Sequence, residues 1–210
     1  DRCTITDPNF AGWRPMAPAG DLSPLSRTSV TWHDDWPIKP DVVFEGGNHG
    51  VNPANGEGDH LDDLALLTTH HRLQERLFTV CGDTSAATAQ ASRMAAQILA
   101  DRDDLWPETV RGLIVHAAEW TPAMRGHLPV NPKQRDKRLL VRRYGYGIPD
   151  LDAALRSLQN DVTLVVEGDM QPFVQQGSKV KTRDMVLHDL PWPADAVEEL
   201  GAGQVEMKVT

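Results

Sequence analysis

The run from Cys81 to Asp101, "CGDTSAATAQASRMAAQILAD", constrains the fold of this chain more than any other. Ala86, Ala87, Ala91, Met94, Ala95, Ile98 and Leu99 recur at helical spacing, which predicts a helix opening within two residues of Ser85 and ending near Asp101. Residues this small let neighbouring elements approach closely. The helix is therefore expected to lie buried along most of its length. A second helix is expected in "LWPETVRGLIVHAAEWT", with Pro107 at its first position, Glu108 in the first turn, and Val110, Leu113, Ile114 and Ala117 on one face. A third, shorter one fits Pro149 to Leu158, "IPDLDAALRSL".

The stretches around these helices read differently. Residues 1 to 40 are rich in Pro, Gly, Ser and Trp, which suits irregular structure with short strands. "KPDVVFEGG" places Pro40 before a short apolar run and two glycines behind it, the pattern of a buried strand ending in a tight turn. Asn48 to Asp63 reads as a mobile loop; its Asn and Asp content invites calcium, but the ligand spacing of an EF-hand is missing. Lys133 to Arg143, "KQRDKRLLVRR", mixes its basic residues with Asp136 and apolar residues and reads as a solvated loop or strand edge. Beyond Asn160 the segments "DVTLVVEG", "DMVLHDL" and "QVEMKVT" look like strands separated by Gly, Pro and Gln. Two domains are therefore expected, residues 1–158 and a small β-rich module over 160–210, in which Trp192 serves as a packing anchor or turn.

Composition narrows the function classes. With 40% apolar and 24% charged residues the chain is an ordinary globular one. A formal net charge of -9 argues against a nucleic-acid partner, since phosphate binding needs clustered Lys and Arg. No apolar run approaches the roughly 20 residues that span a bilayer, so no membrane partner is expected. Cys3 and Cys81 lie far apart without CxxC spacing, which supports neither a disulfide framework nor a zinc site. No metal or cofactor is expected, and a cytoplasmic location is favoured over a secreted one. The start at Asp1 and the strand-like finish at Thr210 both read as cut ends.

Thr84 and Ser85 open the Ala-rich helix. A serine hydroxyl is a weak nucleophile that needs a neighbouring base and donors aimed at the developing oxyanion. The first turn of a helix supplies unpaired N–H groups and the positive end of the dipole, and small neighbours let a substrate carbonyl reach them. The same residue types are also favoured helix caps, so the local pattern leaves both roles open.

"GDTSAATAQASRMAAQI" resembles the Gly-Thr-Ser-x-Ala nucleophile segment of the subtilisin-like serine peptidases, the subtilases. "LSPLSRTSV" and "WPIKPDVVFEGGN" are similar to the serine-rich stretch and the Lys-Pro-Asp-(apolar)-Ala-Pro-Gly segment that precede it in that family. "WPETVRGLIVHAAEWT" and "RRYGYGIPDLDAAL" resemble the family's following helix and its Gly-x-Gly close. No G-x-S-x-G elbow supports the α/β-hydrolase alternative.

The resemblance implies an α/β fold with a partial parallel sheet, residues 1–158 forming the C-terminal part of a catalytic domain. It makes Ser85 the nucleophile and its backbone N–H part of the oxyanion hole, with Gly82, Asp83, Thr84 and Ala87 as motif neighbours. The substrate would be a polypeptide, cleaved through an acyl-enzyme with an Asp and a His expected upstream of Asp1, so this chain alone is expected to be inactive. His33, His49, His60, His70 and His71 precede Ser85, but none sits in the family's His-Gly-Thr context, and His116 is expected at the core edge. Asp83 stands where the family has glycine; its carboxylate would oppose the charge of an oxyanion unless it caps the helix. A pseudo-peptidase or a binding and assembly module is the alternative.

Overall fold

The small-residue run does form a helix, α1, over Asp83–Asp101. In the computed structural model, which describes residues 3–159, 163–183, 185–189, 193–203 and 207–210, it is followed by α2 (Pro107–His116), α3 (Pro122–Arg125), α4 (Gln134–Tyr144), α5 (Leu151–Gln159) and α6 (Ala194–Leu200). Only one stripe of α1 is buried, at Ala86, Met94 and Ile98. Thr84, Ser85, Thr88, Ala89, Ser92, Arg93 and Ala96 are exposed, so the expected burial along most of its length does not occur. The reason lies in the neighbours: α2 and α5 pack on one side, where Val110, Leu113, Ala117 and Ala154 complete a core with Met94 and Ile98.

Helix α2 starts on Pro107, a position where the missing N–H costs nothing. Helix α5 starts two residues later than its sequence pattern suggests, because Asp150 Oδ1 accepts the Ala153 N–H at 2.7 Å and so acts as its cap. The basic run is not a loop or strand edge; it is α4. Its Leu140 and Tyr144, four residues apart, are buried with Met124 in a second core, and Asp136 reaches back to the Lys133 N–H at 2.8 Å to hold the first turn.

The strands are short. β1 (Arg14–Pro15), β2 (Gly50–Val51) and β3 (Gly58–Asp59) form a three-stranded antiparallel sheet. β4 (Leu66–Thr69) pairs with β5 (Phe78–Cys81), β6 (Ala118–Glu119) with β7 (Ile148–Pro149), and β8 (Phe173–Gln176) with β9 (Lys179–Thr182), all antiparallel. The expected parallel sheet does not form among the described residues. Asn48 to Asp63, read as loop, holds β2, β3 and the start of a 3₁₀ turn over Asp62–Leu64. Residues 41–47, read as a strand, bond through their backbone to Tyr146, Gly147 and Asp83 without forming a ladder, although Gly47 does turn the chain at φ +81°.

The C-terminal strands also fall elsewhere. The described parts of the three strand-like segments, residues 163–168, 185–189 and 207–210, carry no strand, while the β8–β9 hairpin turns at Gly177, where φ is +62°. Residues 163–170 instead run beside α2, with Glu167 accepting the Trp106 N–H at 2.9 Å. Trp192 lies outside the described residues.

Between α4 and β7, Gly145 and Gly147 let three backbones touch. Tyr146 N–H donates to Asp41 O at 2.8 Å and Val43 N–H to Gly147 O at 2.9 Å. Gly147 sits at φ +107°, and a β-carbon there would fall well inside contact distance of the Glu119 carbonyl. Beside this crossing, the buried Tyr144 hydroxyl donates to Asp21 Oδ1 at 2.7 Å, and the His127 ring lies 2.9 Å from Asp21 Oδ2. Burial pushes the Asp21 carboxyl up, but the bonds from Tyr144, His127 and the Leu22 N–H, with the His127 charge, outweigh it and hold the group below its ordinary range. Burial, joined by the Asp21 carboxylate, pushes the Tyr144 phenol up to about 12.

Gly147→Ala is expected to lower stability by about 3 kcal/mol, from left-handed strain plus overpacking. Gly112→Ala in α2, where a β-carbon meets nothing within 4 Å, should raise it by about 1 kcal/mol; urea unfolding of the pair checks both. Tyr144→Phe should cost about 1–2 kcal/mol near neutral pH. Because the Asp21 pKa is depressed on folding, this contribution is present above the ordinary carboxylate pKa of about 4 and is lost as pH falls through the folded value. The gap between wild type and variant should narrow as pH falls below the ordinary carboxylate range.

Candidate active site

The helix does not open on Thr84 or Ser85 as a cap. Gly82 is the N-cap, extended at φ -154° and ψ -159°, with no side chain to bond the first turn. That puts Asp83, Thr84 and Ser85 at the first three helical positions, where backbone N–H groups have no intrahelical partner. The Ser85 side chain is exposed. Thr88 and Ser92 fold their hydroxyls back onto the carbonyls four residues earlier, Thr84 O at 2.7 Å and Thr88 O at 2.9 Å. Ser85 has no helical carbonyl at that offset, and among the described residues its hydroxyl makes no hydrogen bond.

The lean surroundings have a physical use: they let two backbones cross. Asp83 N–H donates to Gly46 O at 2.7 Å. A β-carbon on Gly46 would lie 3.0 Å from Asp83 O, and one on Gly82 would lie 3.2 Å from Gly46 O. Gln90, one turn beyond Ala86, secures the crossing by donating its side-chain amide to Glu45 O at 2.5 Å and Ala86 O at 3.3 Å. The sequence signal for Gln90 is an amide one helical turn after Ala86.

Asp83 is the single non-glycine residue with positive φ among the described residues, at +65°. The aspartate at the glycine position of the motif thus sits in the left-handed region that favours glycine. The carboxylate makes no capping bond to the helix. Asp83, Thr84 and Ala87 line a cleft of about 550 Å³ whose other walls include Asp21, Arg27 and Glu45. Ser85 lies outside its lining.

No histidine bonds to Ser85 among the described residues. His60 comes nearest to the motif, with Cε1 3.7 Å from where a Gly82 β-carbon would lie, and its ring is 4.5 Å from that of His49. His33 pairs with Asp35 at 3.2 Å. His70 is buried and accepts the Arg72 N–H at 3.2 Å, with the His71 ring 4.4 Å away. His116 ends α2 beside Thr210 Oγ1 at 2.8 Å, and burial, then the Lys208 charge, lowers its pKa. Among the described residues no three His, Cys, Asp or Glu side chains form a group that could hold a metal ion, and no helix is long and apolar enough to cross a membrane. Chemically, the site offers an unbonded hydroxyl and first-turn N–H groups at the positive end of a dipole.

The sequence model of the subtilase family matches residues 4–147. Uncharacterized protein y4bN of Sinorhizobium fredii (strain NBRC 101917 / NGR234) is 28% identical over 160 residues, covering 75% of this chain and 36% of the relative. The chain thus spans about a third of the length of that relative. No solved structure matches significantly.

Asp83→Gly is expected to hold or raise stability, by up to about 1 kcal/mol, because it releases a left-handed L-residue. Asp83→Ala should lower it by about 1 kcal/mol, since alanine tolerates that backbone less well than aspartate. Thermal melting decides: a glycine variant less stable than the alanine variant would contradict the strain.

Proposed function

Since the chain belongs to the subtilase family, we propose that it is part of a subtilisin-like serine endopeptidase in which Ser85 is the nucleophile. Residues 1–158 are read as the C-terminal part of the catalytic domain and 160–210 as the start of a β-rich accessory module. The observation that carries this reading is the family match across the Gly82–Ala87 motif, joined to an exposed, unbonded Ser85 hydroxyl in the first turn of α1. Ser85 Oγ attacks the scissile carbonyl and its proton passes to a histidine, oriented by an aspartate, both supplied from outside these 210 residues. The Ser85 N–H holds the oxyanion as the tetrahedral intermediate forms. The histidine returns the proton to the leaving amine, and water then hydrolyses the acyl-serine. In the completed domain, half-buried Val42, Val43 and Phe44 enter a parallel sheet as a strand.

A second reading is a pseudo-peptidase that uses the same shape for binding, favoured by the Asp83 carboxylate at the motif's glycine position. A fluorophosphonate probe separates them on the full-length protein. The peptidase reading expects covalent labelling that Ser85→Ala abolishes, with casein cleavage falling by several orders of magnitude. A folded full-length protein that takes up no label sinks it in favour of the binding role. The 210-residue chain alone is expected to cleave no casein, and Ser85-dependent cleavage by it would show that a local histidine serves as base.

A further inference from the structure

Residues 29–39 form a loop that is held in place from inside. Ser29 is fully buried, donates its N–H to Lys39 O at 2.8 Å, and accepts the Lys39 N–H on its hydroxyl at 3.0 Å. The buried Arg142 of α4 donates to Ser29 O at 3.0 Å and to Asp34 O at 3.3 Å. Two tight turns follow one another, with Trp32 N–H on Ser29 O and Trp36 N–H on His33 O, each at 3.1 Å. What this anchored loop presents is two tryptophans, 40% and 59% exposed. Side chains of this size usually bury most of their surface, and a rigid exposed pair is the composition of a binding hot spot rather than of a solvated loop.

The rings of Trp32 and Trp36 stand 5.8 Å apart at 73°, so they form two walls of a corner. Asp34 and Asp35 sit between them in sequence, with side chains 76% and 86% exposed. Arg142 engages Oδ1 of Asp34 at 3.2 Å and His33 lies against Oδ2 of Asp35. The second oxygen of each carboxylate has no partner among the described residues. Lys39, the nearest lysine in sequence, is taken by Asp41 at 3.1 Å.

We propose that the Trp32–Trp36 corner docks a lysine- or arginine-bearing segment of a polypeptide partner. A cation over an indole face is attracted by the ring quadrupole, and the adjacent carboxylate oxygens add charge-assisted hydrogen bonds. An apolar partner would cover Asp34 and Asp35 without pairing them, and an anionic one would meet like charge on a chain of net -9. Because Arg142 fixes the loop beforehand, little ordering entropy is lost on binding. The site does not depend on Ser85.

The test titrates the chain with a hexa-arginine peptide and with hexaglutamate, following tryptophan fluorescence and calorimetric heat. Saturable binding of hexa-arginine alone is expected. Trp36→Ala and Asp35→Asn, both at highly exposed side chains, should each weaken it by about fivefold or more while far-UV circular dichroism and melting stay unchanged. Equal binding of hexaglutamate, or unchanged affinity in both variants, overturns the proposal. Self-association abolished by Trp36→Ala, read by sedimentation, would overturn it in favour of a second copy of the chain.

Discussion

The extended segment 41–48 is bonded through its backbone to parts of the chain that are otherwise far apart. Asp41 O takes the Tyr146 N–H, Val43 N–H reaches Gly147 O, Gly46 O takes the Asp83 N–H, and Asn48 N–H reaches Leu64 O. Gln90 adds a side-chain bond to Glu45 O. The backbone contacts bring segments closer than side chains allow, which is why glycines stand at 46, 47, 82, 145 and 147. Remove this segment and the start of α1, the Gly-x-Gly turn after α4 and the β2–β3 region lose their common partner. The two cores lie on either side of it, with Phe44 packed against one and Val43 against the other.

The helices that could be read from the sequence are those whose burial rests on a single apolar stripe. Val110 and Leu113 in α2, Ala117 just after it, and Ala154 in α5 are buried at the spacing their pattern shows. Helix α4 is obscured in the sequence because seven of its eleven residues are charged or amide, and the two that anchor it, Leu140 and Tyr144, are separated by Val141, Arg142 and Arg143. Arg142 runs against its sequence pattern in the same way: a charge normally marks a solvated face, yet this one is buried because backbone carbonyls of the 29–34 loop accept hydrogen bonds from its guanidinium. Segment 41–47 looked like a strand because local sequence reports burial and extension but not whether a neighbouring strand lies alongside.

At the candidate site the linear motif was legible and its surroundings were not. The glycine-like demand at position 83 could be anticipated from the motif, and the left-handed backbone there meets it. Ser85 as the third helical residue, with Gly82 as the cap, could not be separated from a Thr or Ser cap on propensity alone. The approach of His60 to Gly82 was also invisible, because it depends on where the β2–β3 region returns to α1.

The backbone at Asp83 bears on what the aspartate does. Its N–H must point to Gly46 while the chain turns into the helix at Thr84, and that demand holds whichever side chain occupies the position. The difference from glycine is therefore both conformational, through the strain of a left-handed L-residue, and electrostatic. A carboxylate in the first helical turn is favourable by roughly 0.3–1 kcal/mol, because it draws on the positive potential of the helix end. That potential and the first-turn N–H groups are also what would stabilise an oxyanion on a carbonyl attacked by Ser85. At this one residue the left-handed backbone favours glycine while the field of the helix end favours a carboxylate, so the two demands oppose each other.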